Sequence, residues 1–337
     1  MPVNRQWKLM HRPVGDIRQG DLQLVESPVP APGPGEMLVR NIYLSLDPTN
    51  RIWMSDMDQY MPPVEVGDVM RGGTIGVVEQ SNNPMFVPGD IVQPMTLGWQ
   101  DYVVTGMAQK LMVTPELPIL AYMSALGMTG VTAYFGLMDI GKPKPGETVV
   151  VSAAAGAVGS IVGQIAKLKG CRVVGLAGSD DKCRWVVDDL GFDACINYKT
   201  ENVLEALKRE CPKGIDVYFE NVGGEILDAV LTLINMEARI PLCGLISTYN
   251  ADGPVPGPYM FRNILMKRAL IKGFIVIDYF PRIGEFVAEM GPLVASGAIK
   301  WRVDVEQGLE NAPTALNKLF TGGNTGKLVV QIGPEPG

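Results

Sequence analysis

From Thr148 onward the chain alternates between short β-branched runs and helical runs, and this alternation limits the possible folds more than any other feature. Thr148–Ala153 (TVVVSA) reads as a buried strand, followed by a helix from about Gly156 to Lys169 that Gly170 closes. Cys171–Ala177 (CRVVGLA) reads as the next strand, followed by a helix from about Asp180 to Leu190 that Gly191 closes. Strands at Ala194–Tyr198, Asp216–Glu220 and Arg239–Leu245 then alternate with helices near Val203–Glu210 and Glu225–Asn235. Glycine directly after a helix is a left-handed stop signal. Strands joined by ~10–15-residue helices build a parallel sheet with right-handed crossovers. After Tyr259 the pattern predicts one more helix, a strand at Ile271–Ile277 and a helix from about Arg282 to Ser296.

The first third reads differently. Glu36–Tyr43, Thr74–Glu79 and Ile91–Gln93 are short strand signals separated by Pro- and Gly-rich turns, which suits a β-rich domain. A helix is predicted over Tyr122–Leu137, and Gly326–Ile332 (GKLVVQI) reads as a final strand. A length of 337 residues fits two domains. Two uncharged stretches, Leu117–Met138 and Thr148–Ala166, are long enough to span a bilayer. Both carry glycines and polar residues, so buried core segments are expected and no membrane partner.

The loop Ala154-Ala155-Gly156-Ala157-Val158-Gly159 sits between a strong strand and a strong helix. It has the form of the Rossmann dinucleotide motif with Ala154 at the first glycine position. Gly156 would let backbone approach a pyrophosphate, Gly159 would permit close helix–strand packing, and the helix N-terminus would supply free N–H groups. The same small residues would also suit plain helix-on-sheet packing. The second strand ends Gly178-Ser179, without the carboxylate that would bond an NAD ribose, and Lys182 follows. A ribose phosphate would find a hydroxyl and an ammonium there, which points to NADPH. Asp180 and Asp181 argue the other way unless they serve as first-turn helix acids, and Lys182 also reads as a solvated helix lysine.

The net charge of −7 comes without a basic stripe, which argues against a nucleic-acid partner. The five cysteines, at 171, 183, 195, 211 and 243, show no C-x-x-C spacing, and reduced thiols in a cytoplasmic protein fit best. The chain has a single histidine, His11, and every cysteine lies in the alternating half. No zinc ligand set can be read from the other half.

The run VVVSAAAGAVGSIVGQIAKLKGCRVVGLAGSDDKC, with GFDACINYKT, FENVGGEILD, CGLISTYN, GGNTGKLVV, YLSLDPTNR and GMTGVTAYFGLMDIGKPK, resembles the zinc-free prostaglandin reductase and leukotriene B4 dehydrogenase branch of the medium-chain dehydrogenase/reductase superfamily. Bacterial curcumin reductases and plant alkenal double-bond reductases belong to that branch. The resemblance implies an α/β fold: a Rossmann doubly wound parallel sheet at 126–302, plus a GroES-like β-rich catalytic domain from 1–125 and 303–337. It also implies a homodimer, and NADPH contacts at Gly156, Ala157, Val158, Gly159, Lys182, Tyr198, Asn221, Cys243, Gly244, Leu245, Ile246, Ser247, Thr248, Tyr249, Phe274, Ile275, Val276 and Asn324, with Ser179 added by the strand-tip argument above. Asn324 follows Gly322-Gly323 and reads equally as a turn residue.

Without metal, hydride can reach the β-carbon of an α,β-unsaturated aldehyde or ketone if donors stabilise the carbonyl oxygen and a tyrosine or water protonates the α-carbon. The candidates for the substrate end are Tyr249, in ISTYN, and Tyr60, before Met61-Pro62-Pro63. Each also reads as an ordinary loop aromatic. One departure stands out: relatives commonly read DPYMR where this chain has Asp47-Pro48-Thr49-Asn50-Arg51, so a substrate-side tyrosine is replaced by Thr49. Two rival functions follow, a quinone oxidoreductase and a non-catalytic NADPH-binding protein.

Overall fold

The computed structural model describes residues 3–95 and 98–336. The chain divides into two compact units, Met1–Met123 with Val303–Asn324 and Leu328–Gly337, and Ser124–Arg302 with Thr325–Lys327.

The second unit holds a six-stranded sheet. Its strands and helices are β1 (Thr148–Val151), α1 (Gly159–Leu168), β2 (Arg172–Ala177), α2 (Asp180–Arg184), β3 (Ala194–Asn197), α3 (Val203–Glu210), β4 (Ile215–Phe219), α4 (Gly224–Leu233), β5 (Ile234–Leu242), α5 (Arg262–Lys267) and β6 (Leu270–Gly273). The strands lie in the order β3-β2-β1-β4-β5-β6, and every pair is parallel. This is the strand order of the Rossmann fold, with the reversal of direction at β1/β4. β1 is buried along its whole length, which explains its unbroken run of Val. The apolar core on β1–β5 includes Val150, Val174, Ile196, Tyr218, Val230 and Ile240.

The first unit pairs Val3–Leu9 with Leu22–Pro28 and contains a seven-stranded sheet. Its centre is Met37–Leu46, flanked by Lys327–Gln331 and Thr74–Ser81, with Tyr102–Thr105 also pairing to it. Trp99, Leu9, Leu44, Leu46 and Met54 are fully buried in its main core.

Several element boundaries depart from the sequence reading. The single helix expected over Tyr122–Leu137 is two, Ile119–Met123 and Met128–Phe135, the second running into a π-helical turn at Gly136–Gly141. Gly127 is extended at the break, and a Cβ on Gly130 would lie 1.9 Å from the Ala125 carbonyl, so the chain doubles back on itself there. The expected strand Ile271–Ile277 stops at Gly273, and Val276–Arg282 forms a 3₁₀ helix around Pro281. α1 begins at Gly159 rather than Gly156, and β5 begins at Ile234 through a bulge in which Glu237 has φ +58°. The helix Ala312–Thr321 has no counterpart in the sequence pattern, and the strand Val3–Leu9 falls in the part read as short strands and turns without bounds of its own. The two uncharged stretches are a broken helix and a strand–loop–helix, and among the described residues no helix is long and apolar enough to cross a membrane.

Candidate dinucleotide site and hydroxyl cluster

The loop after β1 is held tightly at its base. Ala153 takes φ +49°, and Ala154 N donates to Leu176 O at 2.9 Å, so the loop leaves β1 stitched to β2. Gly156 N donates to Ala153 O, and α1 then starts with Ser160 N on Gly156 O. Between them lie the consecutive amides of Ala157, Val158 and Gly159, and Val158 supplies no side-chain cap. A Cβ on Gly159 would lie 2.4 Å from Ala153 O, and one on Gly156 3.1 Å from the same atom. Gly159 is therefore dictated by backbone approach, and Gly156 stands close to the same oxygen. Three consecutive N–H donors at the positive end of a ten-residue helix form a cradle of the kind that binds phosphate. Gly326, of the same unit, closes the rim by donating its N–H to Ala155 O at 2.7 Å.

A second polar group lies at the tip of β2. Ser179 caps α2 and accepts from Lys182 N at 3.3 Å, placing Lys182 in the helix's first turn. Tyr198 follows β3, and a Cβ on Gly178 would lie 2.7 Å from its Oη and 3.3 Å from Lys199 Cε. The phenol and the Lys199 stem thus cross directly over Gly178. Burial raises the Tyr198 phenol above its ordinary value, so it stays protonated and able to donate. The two acids that argued against a phosphate are engaged elsewhere: Asp180 accepts from Asn197 Nδ2 at 2.7 Å, and Asp181 pairs with Arg184. Lys199 was missed by the sequence reading, although its place beside Tyr198 at a strand tip was available as a signal.

The loop after β5 is laid along the end of β4. Cys243 N and Gly244 N both donate to Glu220 O, Ile246 N donates to Asn221 O, and Ser247 N and Oγ donate to Val222 O. Ile246–Thr248 is a 3₁₀ turn, and Tyr249 Oη accepts from Leu245 N at 2.9 Å while covering Gly244. Asn221 is fixed by its side chain, whose Nδ2 donates to Ser152 O at 2.7 Å. Phe274 meets Phe219 edge-on at 6.3 Å, with Ile275 and Val276 next along the chain at the entry to the 3₁₀ helix. The sequence positions after β1, β4 and β5 therefore meet at one edge of one sheet. Asn324 belongs to the other unit, three residues after the helix that ends at Thr321.

Beneath this edge lies Glu220, fully buried and not anticipated from sequence. Its Oε1 accepts from Ser152 Oγ, Tyr218 Oη, Val222 N and Gly223 N at 2.6–3.1 Å. Burial nonetheless raises its carboxyl above the usual range. A charged residue at the end of the apolar strand IDVYF was the available signal.

Tyr60 lies in the first unit. Its Oη is 2.6 Å from Thr49 Oγ1 and accepts from Trp53 Nε1 at 3.0 Å. The short helix Thr49–Trp53 is anchored by its buried residues: Asn50 bonds Asp47 N and Arg71 O, and Arg51 bonds the carbonyls of Pro13 and Gly15. Arg71 lies over the Trp53 ring at 5.6 Å. Thr49 and Tyr60 are thus held as a hydroxyl pair on a fixed base, with Tyr60 itself exposed. Among the described residues no group of three or more His, Cys, Asp or Glu could hold a metal ion, and His11 Nδ1 is 3.0 Å from Gly20 O.

A Rossmann sheet with an amide cradle after its first strand, joined to a β-rich unit, defines a dinucleotide-fold oxidoreductase. Residues 5–113 match the family model described as the N-terminal domain of oxidoreductase, and 157–292 match the one described as zinc-binding dehydrogenase. The chain is 48% identical to the NADPH-dependent curcumin reductase of Escherichia coli (strain K12), covering 98% of this chain and 97% of that one. It is 40% identical to the 2-alkenal reductase (NADP(+)-dependent) of Nicotiana tabacum, covering 98% of each. It also superposes on the crystal structure of CurA in complex with NADPH from Vibrio vulnificus, with a TM-score of 0.93, 48% identity and coverage of 98% and 100%. The chain belongs to the medium-chain dehydrogenase/reductase superfamily, in the branch of the curcumin, alkenal and prostaglandin reductases.

Proposed function

We propose that this protein is an NADPH-dependent reductase of the activated C=C bond of α,β-unsaturated aldehydes or ketones. The observation that carries the cofactor is the tip of β2, where Ser179, Tyr198 and Lys199 converge beside Lys182 while both nearby acids are engaged. The relatives that bind or use NADPH support the same reading. The amides of Ala157, Val158 and Gly159 would hold the pyrophosphate. Asn221, the Cys243–Tyr249 loop and the 274–276 segment would line the nicotinamide end. Bound NADPH supplies the hydride that goes to the substrate's β-carbon.

The chain's own part is to orient and to donate. Leu245 N–H fixes the Tyr249 oxygen, so its O–H can be aimed at the developing charge on the substrate carbonyl. Tyr60, held between Thr49 and Trp53, can deliver the proton to the α-carbon and recover it through Thr49. In this reading Thr49 is not itself the proton donor. It supports a phenol supplied eleven residues later in the chain.

A homodimer is part of the proposal. β6 is an edge strand with Leu270 exposed, and Phe261, Leu265 and Met266 around α5 are exposed as well. An open edge beside apolar side chains suits pairing with a second copy. Light scattering should give twice the chain mass, and Leu265→Glu should give the single mass.

The test of the reaction is oxidation of NADPH and NADH, side by side, against an alkenal, an enone and a quinone, with the saturated carbonyl product identified by mass. Turnover of the alkenal or enone with NADPH is expected. Turnover with the quinone alone overturns the reading, and saturable NADPH binding with no turnover marks a non-catalytic binder.

A further inference from the structure

Asn197 closes β3 and is buried, with only 6% of its surface exposed. It lies in register with Ala177, the last residue of β2. Its main-chain oxygen accepts from Thr200 N at 3.1 Å and from Glu201 N at 2.9 Å, and its own N–H donates to Glu201 Oε1 at 3.2 Å. Its side-chain Oδ1 accepts from Lys199 N at 3.2 Å. That backbone donor fixes which way the amide faces, so Nδ2 is the atom turned to α2, where it donates to Asp180 Oδ1 at 2.7 Å. A buried amide needs its polar atoms paired, and here the pairing does two things at once. It folds the turn that carries Tyr198 and Lys199 over Gly178, and it ties down the first acid after β2.

We propose that Asn197 is a specificity-determining residue, which sets the preference for NADPH over NADH without touching either cofactor. The inference rests on the proposed reading that Ser179, Lys182, Tyr198 and Lys199 hold the ribose phosphate. Enzymes that take NAD place a carboxylate at the end of the second strand, where it accepts from the ribose hydroxyls. Asp180 stands one residue after Ser179 and two before Lys182, and so is placed to act that way, whereas its neighbour Asp181 pairs with Arg184. A carboxylate turned toward Ser179 and Lys182 would also repel a phosphate bound there. Asp180 is exposed, and the amide of Asn197 holds it to β3 instead. The same amide, through Lys199 N, keeps the phenol and the lysine stem over the β2 tip.

Asn197→Asp tests this with little change of shape. It keeps an oxygen for Lys199 N and puts a second carboxylate against Asp180. Like charges part, and the exposed Asp180 is the one with room to swing away. Fluorescence titrations of the full chain, well above the carboxylate range of pH, should show NADPH weakened roughly tenfold, the loss of one charge-assisted bond. NADH, which lacks the phosphate, should hold its affinity or gain. Asp180→Asn added to Asn197→Asp exchanges donor and acceptor across the same pair. It should return NADPH to within about threefold of the parent, less than one such bond. Asn197→Ser, too short to reach Asp180, should shift the ratio in the same direction, and it serves if circular dichroism shows that Asn197→Asp does not fold. Equal losses of NADPH and NADH would mean that Asn197 only supports the turn, and would overturn the proposal. So would an unchanged ratio of the two affinities, or a double variant that does not recover. A parent chain that binds NADPH and NADH alike would instead overturn the reading of the β2 tip on which the inference rests.

Discussion

The dinucleotide edge and the Tyr60 cluster solve similar problems with different materials. At the edge, the donors are mainly backbone amides, and the glycine at 159 is set by its contact to Ala153 O. In the cluster, the donors are the side chains of Thr49, Trp53 and Tyr60, mounted on a short helix anchored by Asn50 and Arg51. Backbone donors persist through most substitutions, so such a site has one durable design. Side-chain donors can be exchanged one position at a time. The contrast predicts that mutations divide by region into effects on rate and effects on cofactor binding or stability.

The largest expected effects are on rate. Tyr60→Phe and Tyr249→Phe remove only a hydroxyl, and loss of a general acid or an oxyanion donor costs about 10²-fold or more in kcat. NADPH affinity should stay within about threefold for Tyr60→Phe, less than one charge-assisted bond. Stopped-flow single turnover with an alkenal reads this directly. A kcat unchanged in both variants would assign the proton to water and remove the side-chain half of the contrast.

Lys182→Ala comes next. One charge-assisted bond is worth about 1.5–3 kcal/mol, so the NADPH-over-NADH preference should fall roughly 10–150-fold. Titrations of both cofactors measure the ratio. No change would leave Tyr198 and Lys199 to carry the phosphate and make Lys182 a solvated helix lysine.

The backbone design itself is tested by Gly159→Ala. The added Cβ would meet the main-chain Ala153 O at 2.4 Å, and overpacking of this kind costs about 1–3 kcal/mol. Urea midpoints should drop accordingly, and NADPH and NADH should weaken together because the cradle serves both. Selective loss of one cofactor would mean that the cradle does not bind the shared pyrophosphate.

The same division explains what could be read in advance. The βα alternation announced the parallel sheet because buried parallel strands are continuous apolar runs such as TVVV, and the loop motif announced the cradle because only small residues fit it. The β2 tip was legible as an absence of carboxylate. The bond between Thr49 and Tyr60 was not, since an eleven-residue separation carries no periodic signal. The break at Ser124–Gly127 was hidden because apolar helical spacing continues through it, and only the contact between Gly130 and Ala125 O requires it.

Thr49→Val should be milder than loss of either phenol. It keeps the β-branched shape and removes the partner at 2.6 Å from Tyr60, while the Trp53 bond remains. A neutral hydrogen bond is worth about 0.5–1.5 kcal/mol, so kcat should fall roughly 2–10-fold. KM should hold if Thr49 acts only through Tyr60, and the effect should vanish in a Tyr60→Phe background. Additive losses in the double variant would make Thr49 an independent substrate contact.

The smallest effect tests where the contrast itself breaks down, because one buried side chain underlies the backbone-built edge. Glu220 gathers Ser152, Tyr218 and the amides of Val222 and Gly223 on one oxygen, and burial raises its carboxyl above the ordinary 4.5. The unfolded chain therefore releases this proton at lower pH than the folded one. The contribution to stability is fully present below the unfolded value, declines as pH rises above it, and levels off beyond the folded value. Glu220→Gln keeps an acceptor oxygen and cannot ionise, so its melting temperature should decline less steeply than that of the parent chain as pH rises from 4.5. Parallel curves would mean that the four donors hold the carboxylate ionised in the folded state, and that the edge rests on a buried negative charge.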